Sequence, residues 1–213
     1  MQLYFSPLAC SMASRIALYE AGGDAVFLEV DPRTKRVLAG NDDFCGINPL
    51  GLVPTLRTDD GAIITENAAI LQYIAERFPD AALGAQSPAE RARLQQWLAF
   101  FGTELHKGLF IPLLAKDAPE GMRSWTLNKY RARLDYLNGY LQSRDFVLDH
   151  FSVADGYLVT ILNWTTVIKE LNLSQWPSLQ AYYERLLKRP SIAKAIAEEL
   201  PLYRAELVRH KAA

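Results

Sequence analysis

The run Gln2-Leu3-Tyr4-Phe5-Ser6-Pro7-Leu8-Ala9-Cys10-Ser11-Met12-Ala13-Ser14-Arg15-Ile16-Ala17-Leu18 joins a strand to a helix. Its first four residues have β character, Pro7 sits in a loop, and from Ser11 apolar residues recur at helical spacing. Cys10 falls at the join. A helix N-terminus carries free N–H groups and partial positive charge, so it favours thiolate over thiol. The same residue also reads as a small packing side chain, because free Cys is often interior. The local pattern leaves both readings open.

Strands and helices alternate up to about residue 80 of the sequence. Ser11 to Ala21 reads as a helix stopped by Gly22-Gly23. Val26 to Val30 is β-rich, and Thr55 to Thr58 and Ala62 to Thr65 flank the hairpin signal Asp59-Asp60-Gly61. Ala68 to Ala75 is helical again. The order β-α-β then β-β-α predicts an α/β arrangement with its first two strands parallel.

Residues 79–87 read as a linker, with two prolines nearby and little periodicity. Ser87-Pro88-Ala89-Glu90 is a helix start: a capping Ser, Pro at the first position, and Glu three residues on. Beyond it the pattern is helical throughout. Leu94, Trp97, Leu98, Phe101 and Leu105 repeat at three and four, as do Leu127, Tyr130, Leu134, Leu137 and Leu141. Val153 to Ile168 is apolar on most faces and predicts a buried helix, opened by a Ser152–Asp155 capping box. Tyr182, Leu186 and Leu187 mark one more helix, with Pro190 as its end.

Composition narrows the classes. At 213 residues, half of them hydrophobic, the chain can bury one large core or two small ones. The 23 basic and 24 acidic residues nearly cancel, and no basic stripe argues for nucleic acid. Two cysteines, Cys10 and Cys45, are too few for a disulfide scaffold. No signal-peptide pattern and no bilayer-length apolar run is visible, so the expectation is a cytoplasmic protein with no membrane partner. No metal-ligand cluster or phosphate loop stands out, and no metal is expected.

Four islands, taken together, resemble the cytosolic glutathione transferases, most closely the bacterial beta class. They are Tyr4-Phe5-Ser6-Pro7 with Cys10-Ser11, then Asn48-Pro49-Leu50-Gly51-Leu52-Val53-Pro54-Thr55-Leu56, then Thr65-Glu66-Asn67-Ala68-Ala69-Ile70-Leu71-Gln72-Tyr73-Ile74, then Phe151-Ser152-Val153-Ala154-Asp155-Gly156-Tyr157-Leu158. Trp97-Leu98 with Glu104-Leu105-His106-Lys107-Gly108 adds a class-level match. The likeness spans essentially the whole chain in order. It implies an α+β thioredoxin-like N-terminal domain followed by an all-α helical domain, usually in a homodimer. Applied here, that means a glutathione-binding domain over 1–78, a linker over 79–87 and a helical electrophile-binding domain over 88–213.

The resemblance also implies a site. Catalysis falls to Cys10, Ser11 and His106. Glutathione, the co-substrate, is expected on Cys10, Lys35, Val53, Pro54, Glu66, Asn67, Thr103 and His106. A small hydrophobic electrophile is expected near Phe5, Lys107, Phe110, Tyr157 and Trp164. The Val53–Pro54 bond is cis in the resembling fold, which would leave Val53 free to pair with an extended peptide in the manner of strand addition. An ordinary trans loop proline is the bland alternative. Glu66 next to a helix-start amide at Asn67 suits a γ-glutamyl ammonium and carboxylate, against a plain capping role. Lys35 could meet a glycine carboxylate or be a solvated loop cation.

Two positions depart from the family pattern. Phe5 stands where near relatives usually have Tyr, and Phe donates no hydrogen bond. Ala99 stands where relatives can carry Asn. With Phe5 silent, activation would pass to Cys10, Ser11 or the helix end, and Cys10 could form a mixed disulfide with glutathione. The expected function is therefore conjugation or reduction of small electrophiles with glutathione. One alternative is a narrower glutathione-dependent peroxidase, disulfide reductase or dehalogenase acting through that disulfide. A second is a non-enzymatic member that binds glutathione or a protein.

Overall fold

The computed structural model describes residues 1–212, which form two compact units. One comprises residues 1–84 and the segment from Arg189 onward, and the other comprises residues 85–188. The sequence grouping of 88–213 into one helical domain thus differs at its end, where the last helix packs with the sheet unit.

The first unit is built on a four-stranded sheet in the order β2-β1-β3-β4. Strands β1 (Gln2–Phe5) and β2 (Val26–Glu29) are parallel, pairing Gln2 with Val26 and Phe5 with Glu29. Strand β3 (Thr55–Arg57) runs antiparallel to β1 and to β4 (Ile63–Thr65), the hairpin expected around Asp59-Asp60-Gly61. Helix α1 (Met12–Glu20) ends where Gly22 takes a φ of +62° and the Gly23 N–H reaches back to the Leu18 carbonyl at 2.9 Å. It packs against α2 (Asn67–Arg77), and Leu3, Ile16, Leu18, Leu56, Ile70, Leu71 and Ile74 are fully buried. The next side chain along β1, Tyr4, joins Val30, Val37 and Phe44 in a separate cluster, as period-two alternation requires.

The second unit starts as foreseen. Ser87 caps α3 (Pro88–Phe100) by accepting from the Glu90 N–H at 3.2 Å. Past Phe100 the backbone departs from plain α-helix. Phe101–Phe110 is a π-helical stretch leading into α4 (Ile111–Leu114). Gly108 is required there, because a Cβ on it would fall 2.4 Å from Tyr130 Cε1 on α5 (Met122–Tyr140). Helix α6 (Val153–Leu162) is buried along its length, but shorter than the apolar run 153–168 predicts. The Thr165 and Thr166 hydroxyls donate to carbonyls three residues back, at 2.7 Å each, and tighten residues 163–166 into a 3₁₀ turn.

Helix α7 (Pro177–Leu186) is the one marked by Tyr182 and Leu186. Pro190 does not merely end it. It opens a further helix, α8 (Pro190–Ala212), which the sequence reading overlooked. Pro is as good a first residue as it is a stop. The start of α8 is fixed to α1 by a bidentate contact of Arg189 with Glu20, 2.6 Å on both oxygens, and by Ser191 bonding the same carboxylate. No helix among the described residues is long and apolar enough to cross a membrane.

Candidate active site

In the sheet unit Cys10, Val53 and Asn67 are joined by hydrogen bonds. Cys10 lies in the loop between β1 and α1, two residues before the helix. Its Sγ donates to the Val53 carbonyl at 3.3 Å. The Val53–Pro54 peptide is cis. On the other side, the Asn67 side-chain amide donates to the Cys10 carbonyl at 2.7 Å, and its oxygen accepts from the Ser14 hydroxyl at 3.1 Å. The Asn67 side chain is therefore occupied with the Cys10 loop. Its backbone N–H, first in α2, belongs to the set a helix start leaves unbonded, and Glu66 caps none of it with its side chain. Glu66 itself is exposed and held at φ +68°, a conformation non-Gly residues seldom adopt.

Gly51, in the same segment as Val53, lies beside Lys35. A Cβ on Gly51 would fall 3.2 Å from Lys35 Cδ, so the lysine stem lies across that glycine. Lys35 too has a positive φ, +55°. Its N–H donates to the Asp31 carbonyl at 3.0 Å and its carbonyl accepts from Phe44 at 2.9 Å.

Ser11 takes a different part from the one expected. It is fully buried, accepting from the Ser6 N–H and donating to the Ser6 carbonyl, both at 3.2 Å. Its hydroxyl staples the loop shut. Phe5 is also corrected. Its ring is buried with the Arg15 guanidinium 4.3 Å above it and Phe27 at its edge, so it packs inside the sheet unit and lines no electrophile pocket.

Arg15 was the signal missed in the sequence. It is the sole charged residue between Cys10 and Tyr19 on an otherwise apolar helix face. Only 4 % exposed, it lies between Phe5 and Phe27, 3.0 Å from Glu198 and 2.8 Å from Glu199 of α8. Glu199 also accepts from the Leu8 N–H at 2.6 Å, and Leu8 sits at φ +56° in the Cys10 loop. Burial pushes the Glu199 carboxyl up to about 7, against the opposing pull of Arg15 and Leu8.

The remaining candidates lie on the helical unit. Thr103 and Lys107 are exposed on the π-helical stretch, with the Thr103 hydroxyl donating to the Ala99 carbonyl at 3.0 Å. His106, Phe110, Tyr157 and Trp164 form one buried aromatic cluster. His106 Nδ1 shares a 2.8 Å hydrogen bond with the Tyr157 hydroxyl. Burial, aided by the charge of Lys107, lowers the His106 pKa to about 4, so its ring is neutral at pH 7.

That shift carries a stability consequence. A base whose folded pKa lies below its unfolded value near 6.5 contributes stability above pH 6.5 and loses it as pH falls towards 4. The loss attributable to His106 is about 3 kcal/mol. Denaturant melts from pH 4 to 7 should therefore show a shallower acid limb in His106→Phe than in the unmodified chain. Parallel limbs would show that the ring is protonated in the folded state.

Among the described residues no group of three or more His, Cys, Asp or Glu could hold a metal ion. Neither Cys10 nor Cys45 is in a disulfide.

Residues 3–84 match the family model for the glutathione S-transferase N-terminal domain, and residues 102–190 match that for the C-terminal domain. The chain is 38% identical to glutathione S-transferase GstA of Escherichia coli O157:H7, covering 93% of this chain and 98% of that protein. A sphingomonad glutathione S-transferase solved in complex with glutathione is 37% identical, with a TM-score of 0.88 over 93% of this chain and 98% of that one. The bacterial beta-class enzyme of Sphingomonas chungbukensis is 39% identical, with the same TM-score and the same coverage. The chain belongs to the glutathione S-transferase family.

Proposed function

We propose that glutathione lies along the line Glu66–Asn67, Cys10–Val53, Gly51–Lys35, with its sulfur beside Cys10. The observation that carries this reading is the order of those contacts. An acid with an open helix-start amide comes first, a thiol at a strand edge second, and a cation third. Glutathione presents a γ-glutamyl ammonium and carboxylate, a cysteine, and a glycine carboxylate in that same order. Glu66 takes the ammonium, the first amides of α2 take the γ-glutamyl carboxylate, Val53 with Pro54 meets the cysteine backbone, and Lys35 takes the glycine carboxylate.

The reaction follows from the thiol. Cys10 attacks one sulfur of a disulfide formed with glutathione. A Cys10–glutathione bond forms, the original S–S bond breaks, and the second sulfur leaves as thiolate. A further glutathione thiolate then releases Cys10 and restores its thiolate. Conjugation needs less of Cys10, because glutathione brings its own sulfur and the electrophile is attacked directly. Thr103, His106 and Lys107 complete the reading on the helical unit, where the neutral His106 ring acts as an acceptor rather than an acid. Small hydrophobic electrophiles are the second substrate; Phe110, Tyr157 and Trp164, buried in one aromatic cluster, support the helical unit rather than touch that substrate. The reading includes a homodimer in the cytoplasm, without a nucleic-acid or membrane partner.

Glu66→Ala tests the orientation. It is expected to weaken glutathione binding by about 1.5–3 kcal/mol, the range for a charge-assisted hydrogen bond, with the fold intact. Calorimetry that returns an unchanged affinity would place the γ-glutamyl end elsewhere.

A further inference from the structure

The last turn of α8 is attached to the turn that carries Lys35. Asp31 is the joint. Its Oδ1 accepts from the Arg33 and Thr34 N–H groups at 2.9 and 3.0 Å. Its backbone N–H donates to the Arg36 carbonyl at 2.9 Å, and its carbonyl accepts from Lys35 at 3.0 Å. Asp31 therefore sets the whole 31–36 turn, including the positive φ of Lys35. Its other oxygen, Oδ2, faces α8. His210 Nε2 lies 3.1 Å away and Arg209 Nε 3.4 Å away. Arg209 also holds Glu29 of β2 at 2.8 Å, and the Arg33 guanidinium returns to the His210 carbonyl at 2.9 Å. Burial pushes the Asp31 carboxyl up, but its backbone donors and His210 outweigh that and hold it at about 2.

We propose that Arg209 and His210 are positioning residues for the glycine carboxylate of glutathione, acting through Asp31 on Lys35. The proposal rests on the assignment of Lys35 above. Without the two α8 side chains, Asp31 Oδ2 loses its partners and the turn is held from one side alone. Lys35 then samples positions away from Gly51, and only the glycine end of the ligand feels the change.

The test compares glutathione with γ-glutamylcysteine, which lacks the glycine. Lys35→Ala and the double variant Arg209→Ala/His210→Ala are each expected to raise the glutathione Kd about threefold to tenfold. Both should leave the γ-glutamylcysteine Kd within about twofold, and the triple variant should bind glutathione no worse than Lys35→Ala alone. His210→Gln, which keeps an N–H donor, should bind glutathione like the unmodified chain. If Lys35→Ala weakens both ligands alike, the assignment of Lys35 fails. If Lys35→Ala discriminates and the α8 variant does not, or weakens both ligands alike, the role of α8 is overturned while Lys35 stands. Should the double variant not fold, His210→Ala alone carries the same comparison.

Discussion

Asp155→Ala is expected to lower the unfolding free energy by roughly 3 to 5 kcal/mol, because buried donors left unpaired cost about 1–3 kcal/mol each. Asp155 is fully buried and accepts from four donors. Three of them are the Val147 N–H, the Ser152 N–H and the Tyr182 hydroxyl, at 2.8, 2.8 and 2.7 Å. The fourth is the Ser152 hydroxyl at 3.0 Å. The sequence marks Asp155 as half of a capping box, a role worth about 1 kcal/mol. The structure gives it more, since it also ties residue 147 and α7 to the start of α6. Urea melts would decide between the two. A loss near 1 kcal/mol means a cap and nothing more, and a loss near 4 kcal/mol means a network.

Cys10→Ala is expected to abolish thiol–disulfide exchange with glutathione while conjugation falls much less. Oxidised glutathione should modify Cys10 in preference to Cys45, which peptide mass spectrometry would locate. The preference follows from position. Cys10 Sγ lies at the Val53 edge, whereas Cys45 Sγ lies against Gly51 beside the Lys35 stem, at the glycine end of the line. Equal loss of both activities would make Cys10 a shared activator and remove the redox emphasis. No loss of either would make it a packing residue. Ser11 could not then take over, because its hydroxyl is closed on Ser6.

The hairpin and two of the helix boundaries were legible because each rests on a local pattern. Gly22-Gly23 stops a helix, Asp59-Asp60-Gly61 turns a hairpin, and Ser87-Pro88 starts a helix through contacts within a few residues. The parts that were not legible depend on distant partners. Phe5 looked like a substrate contact because nothing nearby in sequence says that Arg15 covers its ring. Ser11 looked available because its bond to Ser6 depends on how the loop folds back. Glu199 meets Leu8 across 191 positions, and α8 itself was hidden behind a proline read only as a stop. The π-helical stretch keeps the helical spacing of its buried residues Phe101, Leu105 and Leu109, so it passed for α-helix.

The sheet unit is discontinuous in sequence, and this bears on the order in which a ribosome delivers it. Strands β1 to β4 are made first, yet Arg15 receives its carboxylate partners Glu198 and Glu199 only when α8 has been synthesised. Until then a cation bound for the interior has no counter-charge, and burying it is costly. Residues 85–188 are continuous, so that unit is complete earlier. Domains usually mature N-terminal first during translation. Here the helical unit can close while the sheet unit waits for the segment from Arg189 onward to emerge.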